Sequence, residues 1–112
     1  MKTTDFDGGI ENCTVSNVLN VIHGKWGMVI IYFLNKKGVL RFSELKRKIP
    51  KVTEANLTKE LRKLEEYGLI HREVYPVVPP KVEYSLTNIG KEFIPVLDAL
   101  EVWAEKYTAA LQ

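Results

Sequence analysis

At 112 residues, with 46% hydrophobic and 27% charged residues, the chain has the composition of one globular domain with a modest core. A formal net charge of only +2 excludes a uniformly basic nucleic-acid coat, and a single cysteine excludes an internal disulfide framework and fits a reducing compartment. The opening MKTTDFDGG lacks the apolar stretch of a signal peptide and no run approaches membrane-spanning length, so a cytoplasmic protein without a membrane partner is expected.

Residues 1–12 are polar and rich in Gly and Asp, which predicts a flexible N-terminal arm ahead of a single domain over 13–112. Val15, Val18, Leu19 and Ile22 recur at helical spacing and predict a first helix from Val15 to Ile22, broken by His23-Gly24. A second helix is expected from Lys25 to Asn35. It is mostly core through Trp26, Val29, Ile30, Phe33 and Leu34, and Lys36-Lys37-Gly38 closes it. Arg41-Phe42 reads as a very short strand. Ser43 reads as the cap of a third helix, ELKRKI, which Pro50 terminates.

After a turn over 50–52 comes a helix expected over 53–67. Leu57, Leu61 and Leu64 supply its buried face, Thr53 its N-cap and Gly68 its C-terminal glycine. The strict capping box is absent, because Asn56 stands where Glu or Gln would. With Leu57 at the centre of the buried side and about 100° per residue, the opposite face carries Ala55, Lys59, Arg62 and Glu66, flanked by Asn56 and Lys63. Small and polar side chains early and cations later suit a DNA major groove. Leu69 to Val77 and Lys81 to Leu86 then alternate as hairpin strands around Pro79-Pro80, which makes a two-stranded wing over 69–87. Tyr75 and Tyr84 are read as cross-strand packing rather than the lining of a ligand pocket between wing and last helix.

The last helix is expected over 88–110, with a bend at Pro95. Ile89, Phe93, Val96, Leu97, Leu100, Trp103, Tyr107 and Leu111 form one stripe along it. At about 1.5 Å per residue the stripe runs roughly 33 Å, which a domain this small cannot cover alone. A second copy of the chain covers it economically, giving a two-fold homodimer with Phe93, Leu97, Leu100, Trp103 and Tyr107 at the interface. The alternative is ordinary core.

Charge is segregated. From Lys36 to Lys63 ten cations stand against three acids, or +7, which leaves −5 for the remainder. Such a split makes a positive face for phosphates. The expected DNA-contacting residues are Thr53, Ala55, Asn56, Lys59, Arg62 and Lys63 on the reading helix and Lys81 beside the wing prolines. Lys25 and Ser43 join them at the starts of the second and third helices, where positive helix ends favour phosphate oxygens. The competing readings are an Arg62–Glu66 pair within the helix and simple solvation of Lys25 and Lys81. His23 and His71 are isolated, so no metal site is expected. No nucleophile–base pair or glycine-rich phosphate loop points to catalysis or a cofactor.

The ordered set resembles the HxlR-type branch of the winged helix-turn-helix regulators, which is related to MarR-like repressors. It comprises Cys13, Gly24-Lys25-Trp26, Arg41-Phe42-Ser43-Glu44-Leu45, Ile49-Pro50, Leu57-Thr58, Leu61-Arg62, Gly68-Leu69-Ile70, Tyr75-Pro76 and VPPKVEYSLTNIG over 78–90. The resemblance implies a small cytoplasmic homodimeric transcription regulator whose Thr53 helix enters the major groove and whose wing reaches an adjacent minor groove. By the same resemblance the terminal helices, with the first helix, form the dimer interface. The chain departs from the family pattern at Thr14, His23, Ala55 and Asn56, the last two at the groove-facing start of the reading helix. Cys13 falls at the expected start of the first helix, where the dipole favours a thiolate, and some relatives sense oxidants or electrophiles with a cysteine at this place. The other reading of Cys13 is a small buried residue at the dimer interface.

The expected fold is mainly α with a small β-hairpin: a winged helix-turn-helix with a long C-terminal dimerisation helix. The expected function is sequence-specific binding of double-stranded DNA as a homodimer on a near-palindromic operator, with Cys13 a candidate redox sensor, no cofactor and no enzymatic activity. The rival is a winged-helix module that binds protein rather than DNA.

Overall fold

The computed structural model of the chain describes residues 14–19 and 24–112. The arm over 1–12, Cys13 and the break at His23 lie outside them. The elements are α1 (Thr14–Leu19), α2 (Lys25–Lys37), β1 (Val39–Arg41), α3 (Phe42–Lys48), α4 (Glu54–Glu66), β2 (Ile70–Tyr75), β3 (Lys81–Leu86), α5 (Asn88–Glu92) and α6 (Ile94–Ala110). The far end expected for the first helix, up to Ile22, is again outside the described residues. No helix among the described residues is long and apolar enough to cross a membrane.

The core sits where α2, α3 and α4 meet one face of the sheet. Ile30, Ile31 and Leu34 of α2 pack with Leu45 of α3 and with Leu57, Leu61 and Leu64 of α4, all essentially without solvent contact. These are the apolar positions at three- and four-residue spacing, which is why three short amphipathic helices hold together here.

Both ends of α4 are fixed locally. Thr53 Oγ1 accepts the Asn56 N–H at 3.1 Å. At the other end Gly68 has φ 78, its N–H reaches the Glu65 carbonyl, and the Leu69 N–H reaches the Leu64 carbonyl, each at 3.0 Å. That paired closure needs a left-handed residue, and glycine supplies it without a Cβ clash.

Three expectations need correction. Ser43 does not cap α3. The helix begins two residues earlier, at Phe42 with Arg41 as N-cap, because the Glu44 carboxylate accepts the Arg41 N–H at 2.8 Å. Arginine has no acceptor with which to return the bond, so this is half of a capping box. The strand expected at Arg41-Phe42 is Val39–Arg41, and it pairs antiparallel with β3, so the sheet has three strands in the order β1-β3-β2.

The third correction concerns the last helix. It is not one bent rod over 88–110 but two helices, α5 and α6, that meet at Phe93. Pro95 lies in the first turn of α6, where its missing N–H costs nothing, whereas inside a continuous helix it would leave a carbonyl unpaired. The start of α5 is pinned. Thr87 Oγ1 accepts the Gly90 N–H at 3.1 Å and donates to the Gly68 carbonyl at 2.6 Å. Gly90 is buried against the Leu69 carbonyl, so α5 is tied to the end of α4.

Candidate nucleic-acid interface

The polar face of α4 is exposed, as its helical period predicts. Ala55, Asn56, Lys59, Arg62 and Glu66 are exposed and Lys63 is half-buried, while Leu57, Leu61 and Leu64 fill the core behind them. The spacing of 55, 59, 62 and 66 is one side of a helix, so buried leucines aim the cations outward. No ion pair to Lys59, Arg62 or Lys63 occurs among the described residues, where the pairs present are His71–Glu73 and Lys81–Glu83. The Arg62–Glu66 pair is therefore not made, and the charges stay available to phosphate.

Not all ten cations of the basic segment share that freedom. Lys46 Nζ donates to the Pro50 carbonyl at 3.2 Å, closing the end of α3. Lys36 and Lys48 sit 5.3 and 5.7 Å from the ring centres of Tyr32 and Phe33. Lys51, exposed in the turn just before Thr53, is a candidate that the helix-by-helix reading missed. Its signal was its position two residues ahead of the N-cap. Lys25 is the first residue of α2 and Ser43 the second of α3, so both stand in first turns. The first turn of α2 abuts α4: a Cβ at Gly27 would meet Glu60 and Leu64 at 3.6 and 3.8 Å.

The wing is the expected antiparallel hairpin, β2 against β3. On its outer face Glu73 lies directly opposite Glu83, and Tyr75 opposite Lys81. Facing carboxylates repel, and the neighbours offset this. His71 Nε2 lies 2.9 Å from Glu73, and Lys81 Nζ lies 3.5 Å from Glu83 and 4.9 Å from the Tyr75 ring centre. The Tyr75 hydroxyl donates to Glu83, whose charge also opposes a phenolate, and the Tyr75 pKa is raised. Lys81 is thus engaged at the tip end of the wing strands, where it stands opposite Tyr75. Tyr84 points to the opposite, buried face, so Tyr75 and Tyr84 do not line one pocket.

Along α6 the apolar stripe divides. Phe93, Ile94 and Leu97 pack on the core, whereas Val96, Leu100, Trp103, Tyr107 and Leu111 are exposed, Trp103 at 58%. Trp103 and Tyr107 stack on each other, with ring centres 5.1 Å apart. Between α2 and α6 lies an almost wholly apolar groove of about 390 Å³, lined by Met28, Val29, Tyr32, Leu97, Leu100 and Ala104 with Glu101 at its edge.

Comparison with known proteins bears directly on this arrangement. The family described as HxlR-like helix-turn-helix matches residues 21–112. The chain belongs to the HxlR family. An uncharacterized HTH-type transcriptional regulator of Methanothermobacter thermautotrophicus is 55% identical over 95 residues, covering 85% of this chain and 72% of that one. The solved structure of the redox regulator HypR in its reduced form matches with a TM-score of 0.83 at 42% identity, covering 88% of this chain and 97% of that one. HypR in its oxidized form matches at 0.78 and 45% identity, over 84% of this chain and 96% of that one. The chain is therefore an HxlR-type transcription regulator with a winged helix-turn-helix fold, and both family and fold are those of a DNA-binding regulator rather than an enzyme.

Proposed function

We propose that the chain binds double-stranded DNA sequence-specifically as a homodimer. Each α4 enters a major groove, and the half-sites of a near-palindromic operator lie about 34 Å apart. The observation that carries this reading is the α4 face itself: exposed, cationic, without ion pairs among the described residues, and backed by three buried leucines. Thr53, Ala55 and Asn56 at the start of α4 face base edges, Lys59, Arg62 and Lys63 take phosphates, and the first turns at Lys25 and Ser43 add backbone contacts. The exposed stripe through Leu100, Trp103 and Tyr107, continuous with Phe93 and Leu97, supports pairing through α6.

The test is enrichment of genomic fragments by the purified protein, followed by binding of the enriched duplex across a salt series. Specific, salt-dependent binding to a site with two-fold symmetry is expected. Trp103→Glu should sediment as a monomer at micromolar concentration and lose affinity for the full site while keeping its helical content. A parent protein without salt-dependent affinity for duplex DNA would favour the protein-binding rival instead.

The similarity to HypR, a redox regulator solved in reduced and oxidized forms, supports a sensing role for Cys13, which we propose modulates DNA affinity on oxidation or alkylation. Diamide should weaken or strengthen binding by the parent and leave Cys13→Ser unchanged. An equal response in both proteins would remove Cys13 from the account.

A further inference from the structure

A pocket of about 480 Å³ opens where the end of α2, β1 and α3 come together. Lys37, Arg47 and Lys48 line it with Glu44, and Val39 and Leu40 form its apolar side. Its size is that of a small-ligand site, about 300–1,000 Å³, but its wall is cationic where the groove between α2 and α6 is apolar. No residue of α4 or of the wing strands lines it.

Local structure explains why these charges stay bare. Glu44, Arg47 and Lys48 stand at three- and four-residue spacing along one side of α3, while Leu45 and Ile49 are buried. At that spacing a carboxylate ordinarily pairs with one of the cations. Glu44 does not, because its Oε1 accepts the Arg41 N–H at 2.8 Å and so holds the start of the helix. The ion pairs among the described residues lie elsewhere, at His71–Glu73 and Lys81–Glu83. Lys37 is the last residue of α2, and the left-handed turn at Gly38, φ 85, leads straight into β1 and leaves Lys37 on the pocket wall. Lys48 lies 5.7 Å from the Phe33 ring centre, a contact that does not neutralise its ammonium.

Three cations against one carboxylate leave an excess of two positive charges on the lining. A dianion cancels that excess, whereas a monoanion meets half of it and is held less strongly. Arginine's planar fork can take an acid group in two parallel hydrogen bonds, and the lysines act as point charges. We propose that this pocket binds a small oxyanion carrying two or more negative charges, a phosphate ester or a polycarboxylate. Arg47 grips one acid group, and Lys37 and Lys48 neutralise the rest. The ligand joins the end of α2 to α3, so its binding stabilises the folded chain by mass action. The site goes beyond the DNA-binding reading and does not rest on it.

The experiment titrates the whole chain, without DNA and at constant ionic strength, with citrate and with inorganic pyrophosphate, and with acetate as the monoanion. Calorimetry reads affinity and a thermal melt reads stabilisation. One saturable site per chain is expected for at least one of the two polyanions, with a melting temperature that rises with its concentration, and the tighter probe identifies the acid group. Acetate should bind at least tenfold more weakly. A Lys37→Gln, Arg47→Gln double variant should lose about tenfold or more in polyanion affinity, the scale for charged hydrogen bonds removed. Both side chains are exposed, so its fold should survive, which its melt without ligand checks. The Lys59→Ala, Arg62→Ala variant of α4 should bind the probe as the parent does. Absence of saturable binding by the parent would overturn the site. So would an equal loss in the α4 variant, which would mean that the anions collect on the helix face. Unchanged polyanion affinity in the pocket variant, with weakened duplex binding, would instead assign Lys37 and Arg47 to the DNA backbone.

Discussion

Replacing Lys59 and Arg62 together by alanine is expected to weaken operator binding by about a thousandfold near 0.15 M salt. In the proposed dimer the change removes four cations, two from each α4. Each released counterion contributes about 0.9 to the slope of log affinity against log salt, so the slope should flatten by about 3.6, and at that salt the difference amounts to roughly three decades. Both side chains are free to reach phosphate, being exposed and without ion pairs among the described residues. The two positions differ in what else they lose. If Arg62 also touches a base edge, its single replacement relaxes specificity at one position, whereas Lys59→Ala weakens all sequences alike. Stability should hardly change, since neither side chain supports the core. A salt titration that gives parallel lines for parent and variant would mean that this face of α4 is turned away from the duplex.

The second large effect lies far from DNA. Gly90→Ala should destabilise the fold by about 3 kcal/mol, at the upper end of overpacking costs, and lower the melting temperature by roughly 15 °C. A methyl group there would land on the backbone carbonyl oxygen of Leu69. That oxygen cannot easily move, because it accepts the Thr87 N–H at 3.1 Å, and Thr87 in turn holds Gly90 and Gly68. Relief requires breaking the tie between α4 and α5. Gly27→Ala provides the contrast. Its new methyl would meet Glu60 and Leu64 at 3.6 and 3.8 Å, which is ordinary contact, and alanine favours the helix by about 0.5–1 kcal/mol. Thermal denaturation of the two variants should therefore move in opposite directions or leave Gly27→Ala level. Equal losses would show that helix packing, not the Leu69 carbonyl, sets the cost at Gly90.

What could be read from the residues alone was what they decide over a turn or two. Thr53, the leucines at 57, 61 and 64, and Gly68 define α4 because capping, period and a left-handed terminus are local matters. Elements that depend on distant partners were less legible. β1 exists because Val39 to Arg41 find β3 more than forty residues away, and nothing within that tripeptide announces the pairing. Pro95 marked a discontinuity, but not its place, which is the turn at Phe93 between α5 and α6. At the interface, the outward face of α4 followed from its period. The engagement of Lys81 required the wing register, which sets Tyr75 beside it, and Glu83 two residues along on the same face. Ser43 misled because its residue type suits a cap, whereas the Glu44 carboxylate fixes the true start through the Arg41 N–H.

The chain has two tryptophans, and their surroundings differ in a way that gives the molecule its own optical gauge. Trp26 packs against the interior of a single protomer, while Trp103 lies open to water on α6, stacked on Tyr107. Pairing through α6 would withdraw one indole from solvent and leave the other as it was. Diluting the unlabelled protein while following the colour of its fluorescence would then read dimer dissociation directly, with a Trp26→Phe variant isolating the reporting ring.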